Sequence, residues 1–391
     1  MSQTLSHPSN DSIITPPRDL RVDFFRGAAL LIIFIDHVET KTQVTLFSRY
    51  TLKAFGFCDG AEVFIFLSGY VFGLVYNRIY QRDGFADCQR KALRRCGELY
   101  LANLLTLCIT LAFVVPISLS DAEIASRFYL HPLLQSPFQA SIYILDLMYV
   151  PYAFGILRLY ILFLLVMPAL LFLLRWKAPV AWLISFGVYL ATQFWNWFDI
   201  PVFFVDPSRF YFNPLSWQFL FFVGLAIGAN NSNRIHTATR SGFLTFVCLI
   251  GIIGALCANR IIPDLVQHGI LTDPKWLELL AGLHPMIRKA TLAPIRLIHF
   301  LLLAYIVRAV SSPSAWFWRS RWAMPLVVCG QHSLPVFCLG LFLMYVAAAV
   351  VIWLRLGTAW VAAVDIVGCA LLITTAWSLD GYTSANTNKS T

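Results

Sequence analysis

Long apolar stretches separated by short polar links recur along this chain from about residue 22 to residue 378. Many are close to the ~20 residues a helix needs to cross a hydrocarbon layer ~30 Å thick. The pattern predicts an all-α, polytopic transmembrane helix bundle of about ten spans. They fall at 22–40, 56–77, 98–117, 155–174, 179–196, 214–229, 242–258, 295–310, 324–350 and 359–378. Residues 118–153 break the rhythm: Pro132, Pro137 and Pro151 interrupt apolar runs too short to span, which predicts short interfacial helices on one side of the membrane. The connection 259–294, carrying Trp276, His284, Arg288 and Lys289, is long for a compact bundle, and long loops are often functional. The organisation read from this is a tail at 1–21, a single transmembrane domain at 22–379 and a second tail at 380–391.

Charge orients the bundle. Arg78, Arg82, Arg90, Lys91, Arg94 and Arg95 crowd one short loop, which places that loop and the amino terminus in the cytoplasm by the excess of Lys and Arg on that side. Arg175/Lys177, Arg234/Arg240 and Arg308/Arg319/Arg321 then fall on the same side, and loop 259–294 falls outside. Hydrophobic residues make up 59% of the chain and charged ones 13%, against the ~25% charged usual in soluble proteins. The net charge of +9 is therefore a matter of membrane topology, and no nucleic-acid partner is expected. Residues 1–20 are polar, without a cleavable leader pattern. The nine cysteines occur singly, which predicts neither a disulfide framework nor a zinc site. No internal repeat, nucleophile elbow, phosphate loop or dinucleotide fingerprint is present.

Candidate chemistry concentrates in the first span. Arg26 and His37 lie eleven residues apart, so on a helix they share a face within ~20° while His37 sits ~16 Å deeper. Ionisable groups at such depth usually face a polar cavity inside the bundle. Arg26 fits either an interfacial anchor or a binding residue, and His37 a catalytic imidazole. Asp36 points ~100° away from His37, fitting a structural pair with another helix. Glu62 on the second span comes within reach of His37 if the two helices form an antiparallel hairpin, where a carboxylate would fix the imidazole tautomer. Arg296 and His299, three apart on one helix face, form a secondary pair, and His332 is a weaker candidate. Trp195, Trp197 and Tyr211 fit the interfacial aromatic belt or stacking on sugar rings.

These residues carry a resemblance. Arg26 and His37 match the Arg-x10-His pattern in the first helix of the membrane acyltransferase-3 superfamily. The run Gly60-Ala61-Glu62-Val63-Phe64-Ile65-Phe66-Leu67-Ser68-Gly69-Tyr70 resembles its second-helix motif. Asp19–Gly27, Phe212–Gln218, Ile295–Phe300 and Ser333–Phe337 are similar to its OpgC branch. The resemblance implies a membrane O-acyltransferase of the bacterial inner membrane. It would move a succinyl or acetyl group from acyl-CoA, as donor substrate with no bound cofactor, to an exported glucan such as an osmoregulated periplasmic glucan or cellulose. The implied partners are membrane lipid and the glucan or its synthase complex. On this reading Arg26 holds the donor's phosphates and His37, with Glu62, performs the chemistry. The competing readings are a polysaccharide or lipid-linked-sugar exporter and a structural subunit of a glycan synthase.

Overall fold

A computed structural model describes residues 18–195, 212–230 and 241–390. Among these the secondary structure is helical throughout. Five helical stretches are long and apolar enough to cross a membrane, and two shorter apolar helices accompany them. The count of about ten spans is thus not reproduced by length and composition, for reasons visible in single elements. The first helix, α1 (Leu20–Thr42), carries seven charge-capable residues beyond its apolar positions, among them Asp23, Arg26, Asp36 and Glu39. The helices α8 (Ala178–Phe194), α9 (Pro214–Asn230) and α13 (Pro294–Val310) each stop at 17 residues.

The predicted second and third spans form one element, α3 (Gly60–Ser120), after the single-turn α2 (Leu52–Phe55). It is interrupted at Gly84, whose φ of 84° a side chain would resist. The Cys88 thiol lies 3.9 Å from the Tyr76 carbonyl. Twelve residues of straight helix would separate them by ~18 Å, so the chain turns back at Gly84. The basic segment 78–95 is therefore helix on both sides of one break instead of an open loop, and Asp83, Asp87 and Glu98 pair with its cations at the surface. The limb before the break packs on α9 through glycines. Cβ atoms on Gly69 and Gly73 would strike the Phe221 and Leu225 carbonyls, and on Gly224 and Gly228 those of Phe66 and Tyr70. Small residues let helix backbones approach this closely where apolar burial gives no net drive. The limb after the break meets α7 (Gly155–Trp176), where the Cys96 thiol reaches the Ile161 carbonyl at 3.7 Å.

Residues 121–153 form the expected short helices: α4 (Ala122–Arg127), α5 (His131–Gln135) and α6 (Pro137–Leu145). The predicted span 242–258 becomes α10 (Gly242–Leu256), which runs through a π-helical turn at Cys257–Ile261 into the connection to α13. There follow α11 (Ile262–Gln267) and α12 (Pro274–Leu283). The predicted span 324–350 is two helices, α14 (Met324–Gln331) and α15 (Ser333–Trp353), joined at His332. Pro335 accounts for the break, because it has no N–H for the Gln331 carbonyl and its ring would clash there. The last helix, α16 (Thr358–Ser390), continues through the segment read as a tail. Trp197, Tyr211, Arg234 and Arg240 lie outside the described residues, as does the tail up to residue 17.

Candidate functional site

The site is built on α1, whose two candidate residues are gripped at opposite ends by different partners. Near its start, Gly27 and Gly330 let α1 and α14 touch backbone to backbone: a Cβ on either would strike the carbonyl of Leu326 or Asp23. That approach brings the α14–α15 break beside Arg26, whose Nη2 donates to Ser333 Oγ at 2.7 Å. The guanidinium carbon stands 6.0 Å from the Phe64 ring centroid. Its Nε is buried with no hydrogen-bond partner among the described residues. Asp23, one turn earlier, is buried under Arg18 with two contacts of 2.6 and 2.8 Å.

At the other end, His37 Nδ1 lies 2.9 Å from the Tyr152 hydroxyl, ring edge to ring face. Tyr152 is held hard. Its backbone carbonyl accepts from the Tyr345 hydroxyl at 2.6 Å, and its N–H donates to the Phe128 carbonyl at 3.4 Å. Tyr129, Leu147 and Ala153 in the same segment adopt φ values of 58°, 63° and 64°. Left-handed backbone at non-glycine residues is uncommon, and persists where the surroundings over-determine it. The Lys41 ammonium sits 3.2 Å from the Tyr152 ring centroid, within an aromatic box completed by Phe128 and Tyr129. It donates to the Arg127 carbonyl, and Arg127 donates back to that of Lys41. The His37 end of α1 is thus locked to α4. Between Arg26 and His37 runs a narrow apolar seam of α1 against α15. A void in it of about 10 Å³, about the size of one water, is lined by Leu30, Phe34, His37, Val336, Phe337 and Met344.

Glu62 is completely buried, and its partner is Arg296 rather than His37: Arg296 Nε donates to Glu62 Oε1. Its other oxygen accepts the Asp59 backbone N–H at 2.8 Å, while the Asp59 side chain accepts the Ala61 N–H at 2.8 Å. Asp59 and Glu62 thereby cap α3 reciprocally, a pattern that an acid three residues ahead of Glu62 signals in sequence. Asp59 Oδ2 also receives Arg296 Nη2 at 3.0 Å and Lys289 Nζ at 2.5 Å. The segment bearing Lys289 is clamped in turn. Carbonyls at Lys289, Thr291 and Leu292 accept from Trp217 Nε1 at 3.0 Å, Gln193 Nε2 at 2.9 Å and the Tyr189 hydroxyl at 3.0 Å. Asp36 pairs with the segment around α2 rather than with a long helix. Thr51 donates to it at 2.8 Å and Lys53 lies 3.2 Å away.

Arg296 and His299 share a face of α13 but not a partner. His299 is 6% exposed, its ring against Gly56 and edge-on to Phe57, and neither ring nitrogen has a hydrogen-bond partner among the described residues. An orphaned buried N–H costs ~1–3 kcal/mol, so this imidazole calls for water or a ligand. His332, at the α14–α15 joint, faces Asp380 at 3.4 Å. Trp195 is exposed. No group of three or more His, Cys, Asp or Glu is placed to hold a metal among the described residues.

Compared with known families, residues 18–384 match the model described as OpgC protein. The chain belongs to the OpgC family. Nearly all of its length is covered, so the five candidate spans and both ends of α1 lie within the family's region. No curated protein and no solved structure matches it. In this OpgC-family chain, sequence reasoning picked Arg26, His37, Glu62 and Arg296. It missed Tyr152, Lys41, Asp59 and Ser333. Asp59 was legible as a capping box. Tyr152 stands 115 residues from His37 and carries no periodic signal.

Proposed function

We propose that this chain is an integral membrane O-acyltransferase that moves a succinyl or acetyl group from cytoplasmic acyl-CoA to hydroxyls of an exported glucan. The observation that carries the reading is α1 itself: a guanidinium at one end and an aromatic-held imidazole at the other, on one helix face, with an apolar seam between. A guanidinium suits the donor's phosphates. The helix break at Ser333 adds α15's N-terminal N–H groups beside it. With the proton on Nδ1, His37 donates to the Tyr152 oxygen and presents a lone pair at Nε2. That nitrogen takes the proton of a sugar hydroxyl as its oxygen attacks the thioester carbonyl. The C–S bond then breaks, and the departing thiolate takes the proton from the imidazolium. Family membership supports the same class of reaction.

In this reading the protein lies in the bacterial inner membrane with the Arg26 end inside. Cysteines placed in 78–95 should then be shielded from an impermeant thiol reagent in intact cells, and cysteines in 270–290 should label. Labelling of 78–95 would put Arg26 on the wrong face for cytoplasmic CoA. The deciding experiment is mass spectrometry of exported glucans from cells with and without the gene, and with His37→Ala. Loss of ester-linked acyl groups in the deletion and in His37→Ala is the expected result. Loss of the glucan from the cell exterior with its esters intact would indicate an exporter. Full acylation by a well-inserted His37→Ala would remove the imidazole from the chemistry.

A further inference from the structure

Beyond the α1 seam lies a second space of different chemistry. It measures about 110 Å³ and is lined by Lys53, Gly56, Phe57, Asp59, Asn259 and Arg296. One water needs only ~10–15 Å³ on such a measure. The space adjoins the His37 end of the bundle. Its Lys53 ammonium pairs at 3.2 Å with Asp36, the residue preceding His37.

Three properties define what it would take. The first is a balanced charge. Lys53 is matched by Asp36, and Lys289 with Arg296 by Asp59 with Glu62, so neither a polyanion nor a polycation gains from entering. The second is its stock of hydrogen-bonding groups. An ammonium has three donors and a guanidinium five, whereas Asn259, whose Nδ2 donates to the Lys53 carbonyl at 3.0 Å, also offers a side-chain oxygen as acceptor. The third is the orphaned His299, whose ring rests against Gly56 and Phe57, two of the lining residues. Buried polar groups in native proteins are paired, and a hydroxyl, which both donates and accepts, would pair an imidazole in either tautomer.

We infer that this cavity is an acceptor subsite, which holds the hydroxyl-bearing edge of a neutral sugar unit at the end of the bundle where α1 carries Asp36 and His37. The inference rests on the acyltransferase reading for its purpose, but its binding chemistry is separate from catalysis and is tested separately. The full-length chain in detergent is titrated with a neutral β-linked glucose tetrasaccharide and followed by saturation-transfer NMR. Wild type and His37→Ala should bind alike. Lys53→Met and Asn259→Leu should each weaken binding at least tenfold while the chain still elutes as a folded species in detergent. His299→Gln, which keeps a donor and an acceptor, should retain binding that His299→Phe loses at an equal melting midpoint. Unchanged tetrasaccharide affinity in both Lys53→Met and Asn259→Leu would overturn the subsite, as would tighter binding of a uronic-acid tetrasaccharide than of the neutral one. If those variants lose binding but His37→Ala still acylates glucan, the subsite stands and the catalytic reading falls.

Discussion

Tyr152→Phe is the most discriminating change, because it removes the hydroxyl that meets His37 and keeps the ring. The phenyl ring keeps the face on which Lys41 rests at 3.2 Å, and the backbone carbonyl still accepts from Tyr345 at 2.6 Å. What goes is the 2.9 Å contact with His37 Nδ1. A buried nitrogen left without a partner costs ~1–3 kcal/mol, and each ~1.4 kcal/mol on the barrier is tenfold in rate. If Tyr152 sets the tautomer and orientation of His37, kcat should fall roughly fivefold to a hundredfold with both KM values nearly unchanged. His37→Ala, which deletes the base, should cost ~10²–10⁴. The assay is transfer of radiolabelled acyl groups from acyl-CoA to glucan in inverted membrane vesicles, with both single variants and the double variant. In the double variant the Tyr152 change should cost nothing further, since there is no imidazole left to orient. A Tyr152→Phe rate within twofold of wild type would refute the reasoning, and so would an equal penalty in the His37→Ala background.

Three further outcomes follow from the same structure. Arg26→Lys keeps the charge but loses the planar fork; if Arg26 grips the donor, turnover at low acyl-CoA should fall tenfold to a hundredfold, from a charged contact worth ~1.5–3 kcal/mol, whereas an anchoring arginine would tolerate the exchange. Gly224→Ala sets a methyl on the Phe66 carbonyl and should lower the melting midpoint in detergent through ~1–3 kcal/mol of overpacking, while Gly97→Ala, with open space around it, should not. Glu123, outside the spans, has its carboxyl held below the ordinary carboxylate range, foremost by the hydrogen bond from Arg355 that ties α4 to the turn after α15. Its contribution is present above an unfolded glutamate's ~4.3 and lost as pH falls through the lower folded value, so acid scans should destabilise wild type more than Glu123→Gln.

What could be read without coordinates was local. Arg26 and His37 share a face because helical geometry needs only the spacing between them. The short helices at 121–153 follow from prolines cutting apolar runs, and the break at His332 was equally readable from Pro335. Asp59 and Glu62 formed a legible cap that the membrane reading of their helix obscured. Span counting is less secure where composition is mixed: α1 counts as a span from its apolar run, but its seven charge-capable residues leave it outside a length-and-composition criterion.

The pairings across the bundle belong to the tertiary structure alone. Glu62 meets Arg296 across 234 residues, His37 meets Tyr152 across 115, and Arg26 meets Ser333 across 307. A sequence names the charges that burial will force into partnership but not which partners, because any opposite charge or hydroxyl would satisfy the same electrostatic demand. The choice falls to backbone approach. Glycine contacts at Gly27 and Gly330, and at Gly69 and Gly224, determine which helices lie close enough for their side chains to touch.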